Sequence, residues 1–195
     1  MANTQLPNIA VFASGYGSNF QTIIDTVNVG KIDANITLLI TDKPDCYAVE
    51  RAINNHIPIF AFDPKDYTSK EEYERDIVAV LQGCNVQLIV LAGYMRLIGS
   101  TLLEAFPDKI INIHPALLPA FPGKNGIEQA YNYGVKIFGI TIHYVDAGID
   151  TGKIIDQLSF KATGEESLEE IETKIHQMEH QLYPEVIQKL IKKII

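Results

Sequence analysis

A chain of 195 residues, 47% hydrophobic and 21% charged, has the composition of one globular domain. A formal charge of -8 argues against nucleic-acid or anionic-membrane partners, which would want a basic face, yet leaves room for a small anion held by backbone amides. Cys46 and Cys84 form neither a metal-ligand spacing nor a disulfide framework, which fits a reducing, cytoplasmic location. The opening M-A-N-T-Q-L-P lacks the basic-then-apolar pattern of a signal peptide. No apolar stretch approaches the roughly 20 residues that cross a bilayer.

In chain order, Ile9 to Ala13 is an apolar strand, and Ser14-Gly15-Tyr16-Gly17-Ser18-Asn19 follows it at once. Phe20, Ile23, Ile24 and Val27 then recur at helical spacing. A glycine-rich turn between strand and helix has three readings. It can be a plain tight turn. It can be a dinucleotide fingerprint, but Phe20 stands where the third glycine belongs, although Asp42 could be taken for the ribose acid. Or it can hold a single phosphate on the Gly17 and Ser18 amides and the Asn19 side chain, the reading that fits best.

Asn35–Ile40 reads as a second strand, Cys46–Asn55 as a helix and Ile57–Phe62 as a third strand. Asp63 to Asp66 is a turn, and Ser69 caps a helix running to Leu81. Gln87 to Ala92 is a continuous apolar run, as expected of a strand buried on both faces. Gly93 to Ile98 leaves it as an apolar loop containing Arg96, either a pocket wall for a flat ligand or a plain cover over the sheet. Thr101 to Ala105 is a short helix. Strands alternating with helices predict a parallel sheet with right-handed crossovers.

Ile110, Ile111 and Ile113 make the next strand. Asn112 and His114 lie two apart on it, so their side chains leave on one face. Pro115, Pro119 and Pro122 then exclude regular structure where that polar pair appears. Polar residues at the carboxyl end of an apolar strand in an open α/β sheet are where ligands bind. Gly126 to Tyr133 is a helix ended by Gly134, and Val135–Val145 and Lys153–Phe160 are strands. Both are expected to tolerate solvent on one face, hence an antiparallel portion. A loop from Asp146 to Gly152 joins them with two carboxylates. Glu166 to Ile195 is helical, acidic at its start and with Lys189, Lys192 and Lys193 at its end, and Pro184 should interrupt or kink it. The fold class is α/β: a single-domain open, mostly parallel twisted sheet with helices on both faces and an antiparallel part near the C-terminal strands.

Asn112, His114 and a carboxylate of the 146–150 loop could converge at one sheet edge and serve acyl transfer to an amine. The amide would donate to a carbonyl oxygen gaining charge, the imidazole would move protons, and the acid would orient the imidazole. No Ser or Cys nucleophile accompanies them, which points to direct attack by the amine. His143 alone reads as a structural histidine, and His56 as a surface residue. His176 and His180, four apart on the last helix, have a metal-compatible spacing without a third ligand, so no metal is expected.

The motifs S-G-Y-G-S-N (14–19), L-A-G-Y-M-R (91–96), N-I-H-P-A-L-L-P-A-F-P-G (112–123), T-I-H-Y-V (141–145), G-I-D-T-G (148–152) and M-E-H-Q-L-Y-P (178–184) span nearly the whole chain. In these it resembles the phosphoribosylglycinamide formyltransferases, a folate-dependent formyltransferase family with a Rossmann-like fold. The resemblance implies a cytoplasmic enzyme that moves a formyl group from 10-formyltetrahydrofolate to the glycinamide amine in purine (IMP) synthesis, with no metal. It implies catalytic roles for Asn112, His114 and Asp150, with Pro115, Thr141 and His143 lining the pocket. It places substrate phosphate and ribose on Gly15, Tyr16, Gly17, Ser18, Asn19 and Glu179. It places folate against Met95, Arg96, Leu97, Ile98, Asn112, Val145, Asp146 and Asp150. A phosphate-binding half (about 1–100) and a folate and catalytic half (about 101–195) would make up one domain, in a monomer or homodimer. Lys124-Asn125-Gly126 stands where some members carry histidines. The rival readings are a formyltetrahydrofolate deformylase or a formyltransferase for another amine, a nicotinamide-dependent oxidoreductase, and a non-catalytic folate sensor.

Overall fold

The structure, a computed structural model, describes residues 6–194. Met1 to Gln5, at the stretch read for a leader, and Ile195, at the end of the last predicted helix, lie outside the described residues. In chain order the elements are β1 (Asn8–Phe12), α1 (Ser18–Asn28), β2 (Asn35–Thr41), α2 (Tyr47–Asn54), β3 (Ile59–Ala61), α3 (Lys70–Gly83), β4 (Val86–Leu91), α4 (Ser100–Ala105), β5 (Ile110–His114), α5 (Gly126–Tyr133), β6 (Ile137–Tyr144), β7 (Ile154–Lys161) and α6 (Leu168–Ile191).

The strands form one seven-stranded sheet in the order β3-β2-β1-β4-β5-β6-β7. Pairing is parallel from β3 through β5 and antiparallel at β5–β6 and β6–β7, as the alternation of elements predicts. The unbroken apolar runs of β1 and β4 follow from helices on both sides. Ile9 and Val11 face α1 and α6, against Phe20, Ile23, Ile24 and Ile187. Ala10 and Phe12 face α3 and α4, against Tyr73, Ile77, Leu81 and Leu102. Each Val, Leu, Ile or Phe among them, fully removed from water, contributes about 1.5–3 kcal/mol relative to an exposed one.

Three expectations give way. β3 is only three residues long because Pro58 has no N–H for the ladder and offers only its carbonyl, to Leu39 N–H at 2.8 Å. β6 has no solvent-tolerant face: Ile137 is exposed at its start and Tyr144 half-buried at its end, with every residue between them buried. Phe138, Ile140 and Ile142 pack in the cluster that includes α6. The opposite face is covered by the proline-rich segment, where Thr141 Oγ1 accepts from Leu118 N–H at 3.0 Å and donates to Ala116 C=O at 2.7 Å. Gly139 is required there, since a Cβ would meet Leu117 Cδ2 at 2.7 Å and Leu158 C=O more closely still. Finally, α6 is not interrupted at Pro184 but continues through it from Leu168 to Ile191. The buried face on either side of that proline, from Ile171 to Ile191, outweighs the one missing N–H. Ser167 and Glu170 form a reciprocal capping box at its start.

The order of strands reverses between β1 and β4, where an open α/β sheet leaves a crevice at its carboxyl edge. The glycine-rich loop follows β1, and the Gly93–Ile98 loop follows β4. Among the described residues no helix is long and apolar enough to cross a membrane.

Candidate active site

Cross-strand pairing assembles the centre of the site. Asn112 of β5 lies opposite His143 of β6, and His114 opposite Thr141. Directly opposed residues in an antiparallel pair share a face, so all four side chains lie on the side away from α6. Leu91, the last residue of β4, is level with Asn112, and β5 continues two residues beyond it. The polar pair thus stands at the edge of the crevice.

The loop between β6 and β7 brings in the acid. Asp150 Oδ2 lies 3.3 Å from His114 Nδ1 and accepts from Gly123 N–H at 2.7 Å. Asp150 Oδ1 lies 3.5 Å from His143 Nε2 and 3.5 Å from Asn112 Nδ2. Asp150 has φ 54°, a left-handed conformation that costs a non-glycine residue about 1–3 kcal/mol. The other carboxylate of the loop, Asp146, is spent inside it, accepting from Gly148 N–H at 3.0 Å and Thr151 Oγ1 at 2.7 Å. It shapes the turn that presents Asp150.

Hydrogen-bond partners define the tautomers. His143 Nδ1 is 2.8 Å from Tyr144 C=O, which can only accept, so Nδ1 carries the proton and Nε2 accepts from Asn112 Nδ2 at 3.3 Å. His114 Nε2 is 2.8 Å from Phe121 C=O. In the neutral ring that nitrogen holds the proton, leaving the Nδ1 lone pair facing Asp150. Burial lowers the His114 pKa below the ordinary histidine value, against the opposing pull of the Phe121 carbonyl and Asp150. Burial works against ionisation of Asp150, but the Gly123 N–H donated to it, joined by the neighbouring imidazoles whenever one of them is charged, outweighs that and holds the carboxyl below its usual range. An amide donor, a neutral imidazole and a carboxylate at one point can stabilise a developing oxyanion and take up a proton.

At the glycine-rich loop, Gly17 has φ 72° at the cap of α1, and a Cβ there would meet Ala48 Cβ at 3.0 Å. The first helical bond runs from Gln21 N–H to Gly17 C=O, which leaves the amides of Ser18, Asn19 and Phe20 without intrahelical acceptors. No acidic side chain occupies that first turn. Asn19 Nδ2 donates to Glu179 Oε2 at 3.1 Å, while its own Oδ1 is buried with no partner among the described residues. Exposed Tyr16 stacks on Tyr47 at the rim. His176, read from the sequence only for its metal-compatible spacing with His180, has Nδ1 3.0 Å from the same Glu179 oxygen, and that contact raises its pKa above the ordinary value. A spacing of three on one helix is the signal that would have linked them.

In the loop after β4, the Met95 and Leu97 side chains are exposed and Ile98 is buried. Among the described residues the backbone N–H and C=O groups of Arg96, Leu97 and Ile98 have no protein hydrogen-bond partner. Val145 packs in the same apolar cluster as Ile98. Pro115 continues the chain beyond His114, whereas Thr141 is fully buried, with its hydroxyl taken up by the proline-rich segment and Gln157. Asp42, the acid of the dinucleotide reading, is buried and bonded to Ser14 and Arg96 instead. Lys124 is exposed.

An open α/β sheet with phosphate-ready amides on one strand end and a donor, imidazole and acid on another is the frame of a group-transfer enzyme. The chain belongs to the formyl transferase family, whose model matches residues 7–187. Within it, the chain is similar to the phosphoribosylglycinamide formyltransferases. It is 52% identical to that of Bacillus subtilis (strain 168) over 186 residues, covering 95% of both chains. It is 40% identical to that of Haemophilus influenzae, covering 93% of this chain and 86% of the relative. The crystal structure of glycinamide ribonucleotide transformylase 1 from Geobacillus kaustophilus superimposes with a TM-score of 0.94 at 50% identity, covering 96% of this chain and all (100%) of that one. These likenesses make the chain a transferase with the formyltransferase fold.

Proposed function

We propose that the chain transfers a formyl group from 10-formyltetrahydrofolate to the amine of 5'-phosphoribosylglycinamide in purine (IMP) synthesis, as a cytoplasmic enzyme acting on small molecules without a metal. The observation that carries this reading is Asp150, set by a separate loop 3.3 Å from His114 and within 3.5 Å of Asn112.

The amine nitrogen attacks the formyl carbon and the carbonyl oxygen becomes an oxyanion, to which the Asn112 amide donates. The attacking nitrogen, now cationic, must lose a proton. His114 Nδ1 and Asp150 Oδ2 face each other as two acceptors, so a proton placed between them satisfies both. The pair is therefore suited to receive it and then to return it to the departing N10 of the folate. His143, with its proton committed to Tyr144, holds the Asn112 amide in the donating orientation. No Ser or Cys stands among these residues, so the amine attacks directly.

The free amides at the start of α1 suit the substrate phosphate, supported by Gly15, Tyr16, Gly17, Ser18 and Asn19. The unpartnered Asn19 oxygen and Glu179 suit the ribose hydroxyls. The unpaired backbone of Arg96, Leu97 and Ile98, flanked by Met95, Val145 and Asp146, suits the polar edge of a pterin. On this reading one domain divides at about residue 100 into a half that binds the phosphate and a half that carries the catalytic residues, with residues 95–98 reaching across to the folate and Glu179 reaching back to the ribose. The test is a formyl-transfer assay with each substrate omitted in turn: folate turnover that requires the phosphoribosyl amine supports transfer, and turnover without it indicates a deformylase.

A further inference from the structure

A closed polar ring lies beneath the two ligand loops. Ser14 opens the glycine-rich loop, and its N–H donates to Gly93 C=O at 3.1 Å. Its Oγ accepts from Met95 N–H at 2.9 Å, so its own proton goes to Asp42 Oδ1. Asp42 Oδ2 accepts from Arg96 Nε at 2.9 Å. Ser14 and Asp42 are buried, and the Arg96 side chain is half-exposed. The three segments leave the carboxyl ends of β1, β2 and β4, which are neighbours in the sheet. The far end of the 93–99 loop is fastened by Gly99 N–H to buried Glu74 at 2.7 Å. Between these two anchors lie the unpaired backbone groups of Arg96, Leu97 and Ile98.

Asp42 is buried with both carboxylate oxygens engaged by protein groups, and its carboxylate fixes both loops at once. We propose that Asp42 is a positioning residue that couples the loops, so that a phosphoribosyl amine on the first strengthens folate binding on the second, and the reverse. Displacing either loop opens the buried ring, and each ligand that holds its own loop in register spares the other ligand part of that ordering. The proposal rests on the substrates proposed above.

Calorimetric titration tests it, with folic acid, which carries no formyl group, and 5'-phosphoribosylglycinamide, each alone and each in the presence of the other. In the unaltered protein each ligand tightens the other by about fivefold or more, by the same factor in both directions. Asp42→Asn keeps the shape but removes an acceptor, and the factor falls toward one while each single affinity changes by no more than about threefold. Ser14→Ala removes only a hydroxyl from the ring and gives the same loss, which keeps the test available if Asp42→Asn does not fold. In turnover, KM rises for both substrates while kcat holds within about threefold, a split that general destabilisation would not produce. Binding without coupling in the unaltered protein, or full coupling in folded Asp42→Asn, would overturn the proposal. Failure of either ligand to bind the unaltered protein would refute the substrate assignment instead.

Discussion

His114 is held between two acceptors, a geometry that invites a second proton, while burial in the sheet face opposes it, and burial wins. His176 is the opposite case, since contact with Glu179 favours its charged form. The signs of their pH linkage differ accordingly. The contribution of His114 to stability is present above the unfolded value of about 6.5 and is lost as pH falls through its lower folded value. That of His176 is present below about 6.5 and is lost as pH rises through its higher folded value. Ring titration by NMR should place His114 below and His176 above that reference, and the reverse order would contradict the assigned surroundings. Asn112→Ala removes the donor at the oxyanion and should lower kcat by roughly a hundredfold or more. A steady-state rate near that of the unaltered enzyme would remove Asn112 from the mechanism.

At the scale of elements, α6 is fastened to the sheet by one buried hydroxyl. Tyr183 Oη donates to Leu91 C=O at 2.8 Å, with Ile111 C=O at 3.4 Å, at the strands that carry the Gly93–Ile98 loop and the Asn112–His114 pair. Tyr183→Phe should lower unfolding free energy by about 1–2 kcal/mol in a denaturant titration, the cost of a buried hydrogen bond, with little change in the apolar packing. Ser167→Ala removes the capping box at the exposed start of α6 and should cost about 1 kcal/mol. If Ser167→Ala proved the costlier of the two, the helix would be held by its end and not by its buried face. The helices and the parallel strands were legible in the sequence because periodicity and β-branched runs report burial directly. The covering of β6 was not, because a proline-rich loop with no periodicity does the covering. Nor was the unbroken α6, because a local breaker at Pro184 gives no measure of the buried surface on either side of it.

In the molecule as a whole, legibility follows distance along the chain. The shared face of Asn112 and His114 needed only a spacing of two. That Asp150 rather than Asp146 supplies the carboxylate could not be read from the loop's composition, because the choice depends on Gly148 and Thr151 occupying Asp146. The ring of Ser14, Asp42 and Arg96 was hidden altogether, since it exists only once β2, β1 and β4 lie side by side. The site is thus a property of strand order, with segments distant in the chain meeting at one edge. Its most direct test is the single-turnover rate of Asp150→Asn with both substrates bound, their occupancy checked by calorimetry. The expected result is formyl transfer slowed by about a hundredfold or more with both affinities retained. Transfer at the rate of the unaltered enzyme would contradict a proton-accepting His114–Asp150 pair.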